Sequence, residues 1–144
     1  MNSNARLNDL LDSGCRSLGL DIGIISKVEG DAYTVLACTD NRLGIKDGHI
    51  FELSQTYCCD VIAENHTKYY DDVANITEML KHPCYLNYQL RAYIGTPIAF
   101  EGKTLGTLNY SSTTPRKHPY SKSEIEYLES LAIQAAQLIG CDQT

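Results

Sequence analysis

The chain has 144 residues, 43% of them hydrophobic, and a formal net charge of −6 with a pI near 5.1. That is the length of one domain with apolar surface for one core, so disulfide staples are not required. The acidic balance argues against a nucleic-acid face and against adsorption to an anionic membrane, and no apolar run nears the roughly 20 residues of a membrane span.

Residues 3 to 18 read as an amphipathic helix, with Leu7, Leu10, Leu11, Cys15 and Leu18 at helical spacing and Gly19 as its stop. Two β-rich runs follow, Asp21 to Glu29 and Asp31 to Thr39, joined by a hairpin turn at Glu29-Gly30-Asp31. Their alternations, Ile22, Ile24, Ser26, Val28 and then Tyr33, Val35, Ala37, predict a sheet with one buried face. Residues 41 to 49 read as a loop. Ser54 is placed to cap a helix from Gln55 to Glu64, Lys68 to Ala74 reads as a short strand, and a short helix from Asn75 or Thr77 to Lys81 is limited by Pro83. Residues 82 to 90 carry no clear period and are read as irregular.

The clearest hairpin is Ala92 to Phe100, a turn at Glu101-Gly102, and Thr104 to Ser112. Pro97 cannot donate a ladder bond, so its strand should carry an irregularity or an unpaired edge there. Ser121-Lys-Ser-Glu124 is a capping box opening the last helix, whose stripe is Ile125, Leu128, Ala132, Ala135 and Ile139, widened by Leu131 and Leu138 and ended by Gly140. Strands in hairpins with helices before, between and after imply an α+β fold around one antiparallel sheet.

Several of these segments are familiar together: Glu52-Leu-Ser-Gln-Thr-Tyr-Cys58, His82-Pro-Cys-Tyr85, Ala92-Tyr-Ile-Gly-Thr-Pro-Ile98, Glu101-Gly-Lys-Thr-Leu-Gly-Thr-Leu-Asn-Tyr-Ser-Ser112, and Pro119-Tyr-Ser-Lys-Ser-Glu124. They resemble a GAF domain of the subgroup found in bacterial multidomain sensor histidine kinases and cyclic-di-GMP signalling proteins. The resemblance covers about residues 5 to 140 of a single domain spanning 1 to 144. It implies a central antiparallel sheet of five or six strands, pocket-covering helices on one face, and N- and C-terminal helices on the other. It implies a non-catalytic sensory module in the cytoplasm, holding an unknown small molecule and acting on an output signalling domain in cis or trans. The stripes of the last helix and of Leu7, Leu11, Gly14 and Leu18 resemble coiled-coil seams, so a homodimer through the terminal helices is expected.

The ligand-lining set expected from this reading is Tyr57, Cys58, Tyr70, His82, Cys84, Tyr85, Tyr93 and Asn109. Tyrosine offers an apolar ring and a hydroxyl that wants a partner, and ten tyrosines stand against two phenylalanines and no tryptophan. Asn109 enters because an inward polar group on a strand needs a partner. The six cysteines, Cys15, Cys38, Cys58, Cys59, Cys84 and Cys141, are expected as reduced thiols, since Met1-Asn-Ser-Asn-Ala-Arg6 lacks the apolar stretch of a secretion signal. Cys58, Cys59, His82 and Cys84 are metal-ligand types, but Cys58 and Cys59 point about 100° apart on a helix, so no metal and no cofactor is expected. Alternatives are a dimerisation scaffold without ligand, and a redox sensor or methionine sulfoxide reductase-like enzyme using Cys58 and Cys84, with His82 lowering a thiol pKa. Cys84 precedes a tyrosine, not the histidine of phytochrome-related domains, which argues against a bilin. Asp71 and Asp72 read as a solvated loop.

Overall fold

Side-chain alternation along two hairpins builds the frame. In this computed structural model, which describes residues 3–39 and 41–142 except the side chains of residues 3, 4, 141 and 142, Ile22–Glu29 (β1) pairs with Ala32–Cys38 (β2), and Ala92–Phe100 (β5) pairs with Lys103–Ser112 (β6). The thiol of Cys141 thus lies outside the described residues. β1 and β6 join the hairpins, and two three-residue strands, Ile50–Glu52 (β3) and Lys68–Tyr70 (β4), flank them. The result is one antiparallel sheet in the order β3-β2-β1-β6-β5-β4, as the α+β reading required.

Two helices, Ser3–Leu18 (α1) and Lys122–Asp142 (α4), cover one face of the sheet. Leu7, Leu11, Leu128, Leu131, Ala135 and Ile139 interlock there with Ile25, Ile94, Ile98, Leu108 and Tyr110. The stripes that resemble dimer seams are therefore consumed by the chain's own core. Serine and glutamate close the predicted capping box reciprocally: Glu124 N–H donates to Ser121 Oγ at 3.1 Å, and Ser121 N–H donates to Glu124 Oε1 at 2.9 Å.

Several elements differ from expectation. α4 runs through Gly140 to Asp142. A Cβ at Gly140 would lie 2.4 Å from the Phe100 ring, so this glycine serves close packing and not helix termination. The sheet is buried on both faces at its centre, because Ile24 and Ile25 are both buried while pointing opposite ways. A bulge between Ile25 and Ser26 in the β1–β2 register also breaks the Tyr33, Val35, Ala37 alternation: Val35 joins one core and Ala37 the other. At Pro97 the expectation holds twice over. β4 pairs with β5 only as far as Gly95, and the β5–β6 register shifts between Ile98 and Ala99.

The middle segment departs most. Leu53–Gln55 is a 3₁₀ turn, and Thr56 is extended, so the helix begins only at Cys58 (α2, Cys58–Glu64). Ser54 caps nothing; its N–H instead donates to the Asp31 carboxylate from the β1–β2 turn. The strand expected to reach Ala74 stops at Tyr70, because Asp72 accepts from Ala74 N–H and starts a 3₁₀ turn at Val73. Asp72 is not merely solvated: Arg91 grips it with two hydrogen bonds of 2.9 and 2.7 Å. Thr77–Met79 is a further 3₁₀ turn. The stretch read as irregular contains a helix, Pro83–Tyr88 (α3), with proline in its first turn and His82 Nδ1 accepting from Cys84 N–H at 3.1 Å.

Candidate functional site

The sheet face away from α1 and α4 presents Ile22 and Ile24 from β1, Tyr33 from β2, Tyr93 from β5, and Thr107, Asn109 and Ser111 from β6. The pairing Ile22–Ser111 and Ile24–Asn109 fixes this set on one side. The middle segment between β2 and β5 roofs it. Between floor and roof lies a cavity of about 330 Å³, within the range of small-molecule sites. Its walls are apolar at Leu43, Ile45, Phe51 and Leu90, aromatic at Tyr33, Tyr57, Tyr88 and Tyr93, and polar at Gln55, Thr56, Asn87, Asn109 and Ser111. Ile50, 69% exposed, stands at the rim.

Beneath the cavity a buried polar cluster is centred on the Cys58 thiol. Tyr93 Oη lies 3.0 Å from Cys58 Sγ. Thr107 Oγ1 and Asn109 Nδ2 each donate to that sulfur at 3.3 Å. Asn109 Nδ2 also donates to Tyr33 Oη at 2.8 Å, and Ser26 Oγ meets Thr107 Oγ1 at 2.8 Å. A buried hydroxyl or amide without such partners is costly, so each donor anchors the next. α2 places Cys58 here, and Gly95 lets Tyr93 fold over the strand: a Cβ at Gly95 would lie 2.1 Å from the Tyr93 hydroxyl oxygen.

Burial governs the titration of the site. It pushes Cys84 up to about 12 and raises Cys58, whose hydrogen bonds with Thr107, Tyr93 and Tyr33 only partly oppose it. It lowers His82, which is therefore a neutral ring acting as a helix cap. His82 Nδ1 faces the Cys84 backbone N–H and not a thiol, and burial favours the protonated form of both Cys58 and Cys84. Among the described residues no group of three or more His, Cys, Asp or Glu side chains converges as a metal site.

Of the eight residues named from sequence, Tyr57, Cys58, Cys84, Tyr93 and Asn109 line the cavity. Tyr70, His82 and Tyr85 do not. Tyr70 and His82 stand behind Tyr57, ring centroids 5.9 and 4.5 Å from it, and Tyr85 packs at the edge of the same cluster. Tyr57 itself is held by a 2.9 Å bond from its hydroxyl to Leu90 O. Sequence reasoning missed Tyr33, Phe51, Leu90 and Ser111. Ser111 was within reach, since it lies two residues from Asn109 on one strand and so shares its face.

Residues 3–139 match the GAF domain family. The GAF domain of an Acinetobacter phosphoenolpyruvate-protein phosphotransferase superposes with a TM-score of 0.80 at 16% identity, over 99% of this chain and 85% of that one. The GAF domain region of a putative membrane protein from Geobacter sulfurreducens PCA gives 0.77 at 22% identity, over 96% and 93%. The blue-light absorbing form of the Thermosynechococcus elongatus PixJ GAF domain gives 0.69 at 16% identity, over 98% and 89%. Identities this low speak for the shared fold. No curated protein matches the sequence.

Proposed function

The chain belongs to the GAF domain family, and from that premise we propose that it is a non-catalytic sensory module of bacterial signal transduction. A small molecule occupies the cavity, and its presence is relayed through the terminal helices to an output domain, in cis or trans, of a histidine kinase or cyclic-di-GMP protein. The module works in the cytoplasm. The observation that carries the reading is the cavity's place: it opens on the face opposite α1 and α4, yet its walls connect to α4.

That connection runs around the β4 edge. Tyr93 lines the cavity and packs on Tyr70, with ring centroids 6.0 Å apart. Tyr70 O accepts from Tyr120 Oη at 3.4 Å, and Tyr69 packs on the Tyr120 ring at 5.5 Å. Thr67, just before β4, bonds both Thr96 and the Glu129 carboxylate on α4. Arg116 lies over the Tyr120 ring at 4.2 Å and ties Leu18 O to Glu124, joining the ends of α1 and α4. A ligand that shifts Tyr93 or Tyr57 therefore has a packed route to both helices. The homodimer through the terminal helices uses what their core packing leaves free: Ile133, 63% exposed on α4, and the half-buried Leu10 and Leu138, which line one surface groove between α1 and α4.

Native mass spectrometry of the protein purified from its own cells, with hydrogen exchange before and after ligand removal, tests this. A bound small molecule is expected, and stripping it should raise exchange in residues 41–57 and in α4. A chain that is always bare, with an unfolding midpoint that no compound of a metabolite library moves, would leave only a scaffold.

A further inference from the structure

Resting on the cavity reading above, we propose that the occupant is an uncharged aromatic molecule with a hydrogen-bonding edge, and that the site rejects anions. The first ground is charge. Among the described residues no lysine, arginine or histidine lines the cavity. An anion brought there would exchange water for a wall without a counter-charge, which is costly. Among the described residues the one ionised group in the lining is Glu52, an exposed group at the rim. A carboxylate in water holds an ammonium weakly, so the site is not built for cations either.

The second ground is an uncommitted polar pair on the floor. Ser111 is 2% exposed, lines the cavity, and its hydroxyl has no hydrogen-bond partner among the described residues. Asn109 is 4% exposed; its amide nitrogen is spent on Tyr33 and Cys58, while its amide oxygen accepts from no described residue. A ligand that seals such atoms from water must supply their partners, because an unpaired polar atom out of water is costly. These two lie on one face of β6, two residues and so roughly 7 Å apart. They ask for a ligand edge that donates to the Asn109 oxygen and either donates to or accepts from the Ser111 hydroxyl.

The third ground is the rest of the wall. Phe51, Tyr57 and Tyr93 surround the floor with ring surface, and the cavity's about 330 Å³ is near the lower end for ligand sites. A small planar body is what such a wall desolvates well.

Indole-3-acetamide, indole-3-acetate and tryptamine share one ring and differ in charge. The chain contains no tryptophan, so indole fluorescence reports the probe directly. The acetamide is expected to bind at least about tenfold more tightly than either charged probe. Ser111→Ala should weaken it about three- to tenfold, the range of one hydrogen bond, with the urea midpoint nearly unchanged. Equal or tighter binding of the acetate or the amine overturns the charge assignment while leaving a functioning ligand site. No binding of any of the three at millimolar concentration overturns the aromatic assignment. In that case a cell-derived ligand in the native mass spectrum preserves the sensor reading, and a bare chain ends both.

Discussion

Ile24 and Ile25 are neighbours on β1, yet they enter two different interiors. Ile25 joins a close-packed wall of leucine, isoleucine and alanine under α1 and α4. Ile24 joins tyrosines, thiols and a cavity under the middle segment. One sheet thus carries a face filled by its own side chains and a face left partly unfilled. The filled face is made by long helices, whose regular stripes can match the sheet. The other is covered by short turns and two helices of six and seven residues, which span the sheet without filling the space below. Incomplete filling costs stability, and a surface held open at that cost is where ligands are found.

The same substitution on each side should measure the contrast. Ile25→Ala is expected near the upper end of the usual ~2–5 kcal/mol for such truncations, and Ile24→Ala at or below the lower end, because its surroundings already contain free space. Equal losses in urea unfolding would mean that the cavity side is as tightly packed as the helix side. Thiol chemistry provides the next largest effect. The rise of Cys84 from an ordinary 9.0 to about 12 lowers its thiolate population about 1,000-fold at pH 8. Alkylation of the folded protein should therefore leave Cys84 and Cys58 for last, with the half-buried Cys59 ahead of them. Rapid modification of Cys84 would revive a redox role.

The pH dependence has a definite sign. The folded state holds Cys84 and Cys58 protonated above the pH at which the unfolded chain releases those protons. Their contribution is complete below pH 9, and stability should fall as pH rises from about 9 towards 12. A stability flat across that window, followed by chemical denaturation, contradicts the burial of both thiols. A smaller effect tests the floor: Thr107→Val keeps shape but removes one donor to Cys58 and the partner of Ser26, with an expected loss of ~1–3 kcal/mol. On the filled side, Ser121→Ala removes the α4 cap at about 1 kcal/mol and should leave the cavity unaltered by any ligand assay.

The division also explains what was legible in the sequence. α1, α4 and the β5–β6 hairpin have periods long enough to see, and each stands close to its expected bounds. β3 and α3 were invisible for opposite reasons. β3 is three residues long and exists only because β2 pairs with it. α3 is written in tyrosine, proline and asparagine, and its start depends on a histidine ring capping it. The site was half legible. Asn109 could be found because a polar residue in an alternating strand demands an explanation. Tyr33 could not, because the same alternation made it look like ordinary core. His82 looked like chemistry and proved to be architecture.

The middle segment begins at β2, supplies β3 at one border of the sheet, crosses the cavity and supplies β4 at the other border before returning as β5. It is one uninterrupted stretch of sequence, and the four central strands pair completely without it. Changes in this strap can therefore accumulate while the chassis stays constant. The roof of the cavity is thus one replaceable cassette, laid over a floor of Tyr33, Tyr93, Asn109 and Ser111 that the chassis itself supplies.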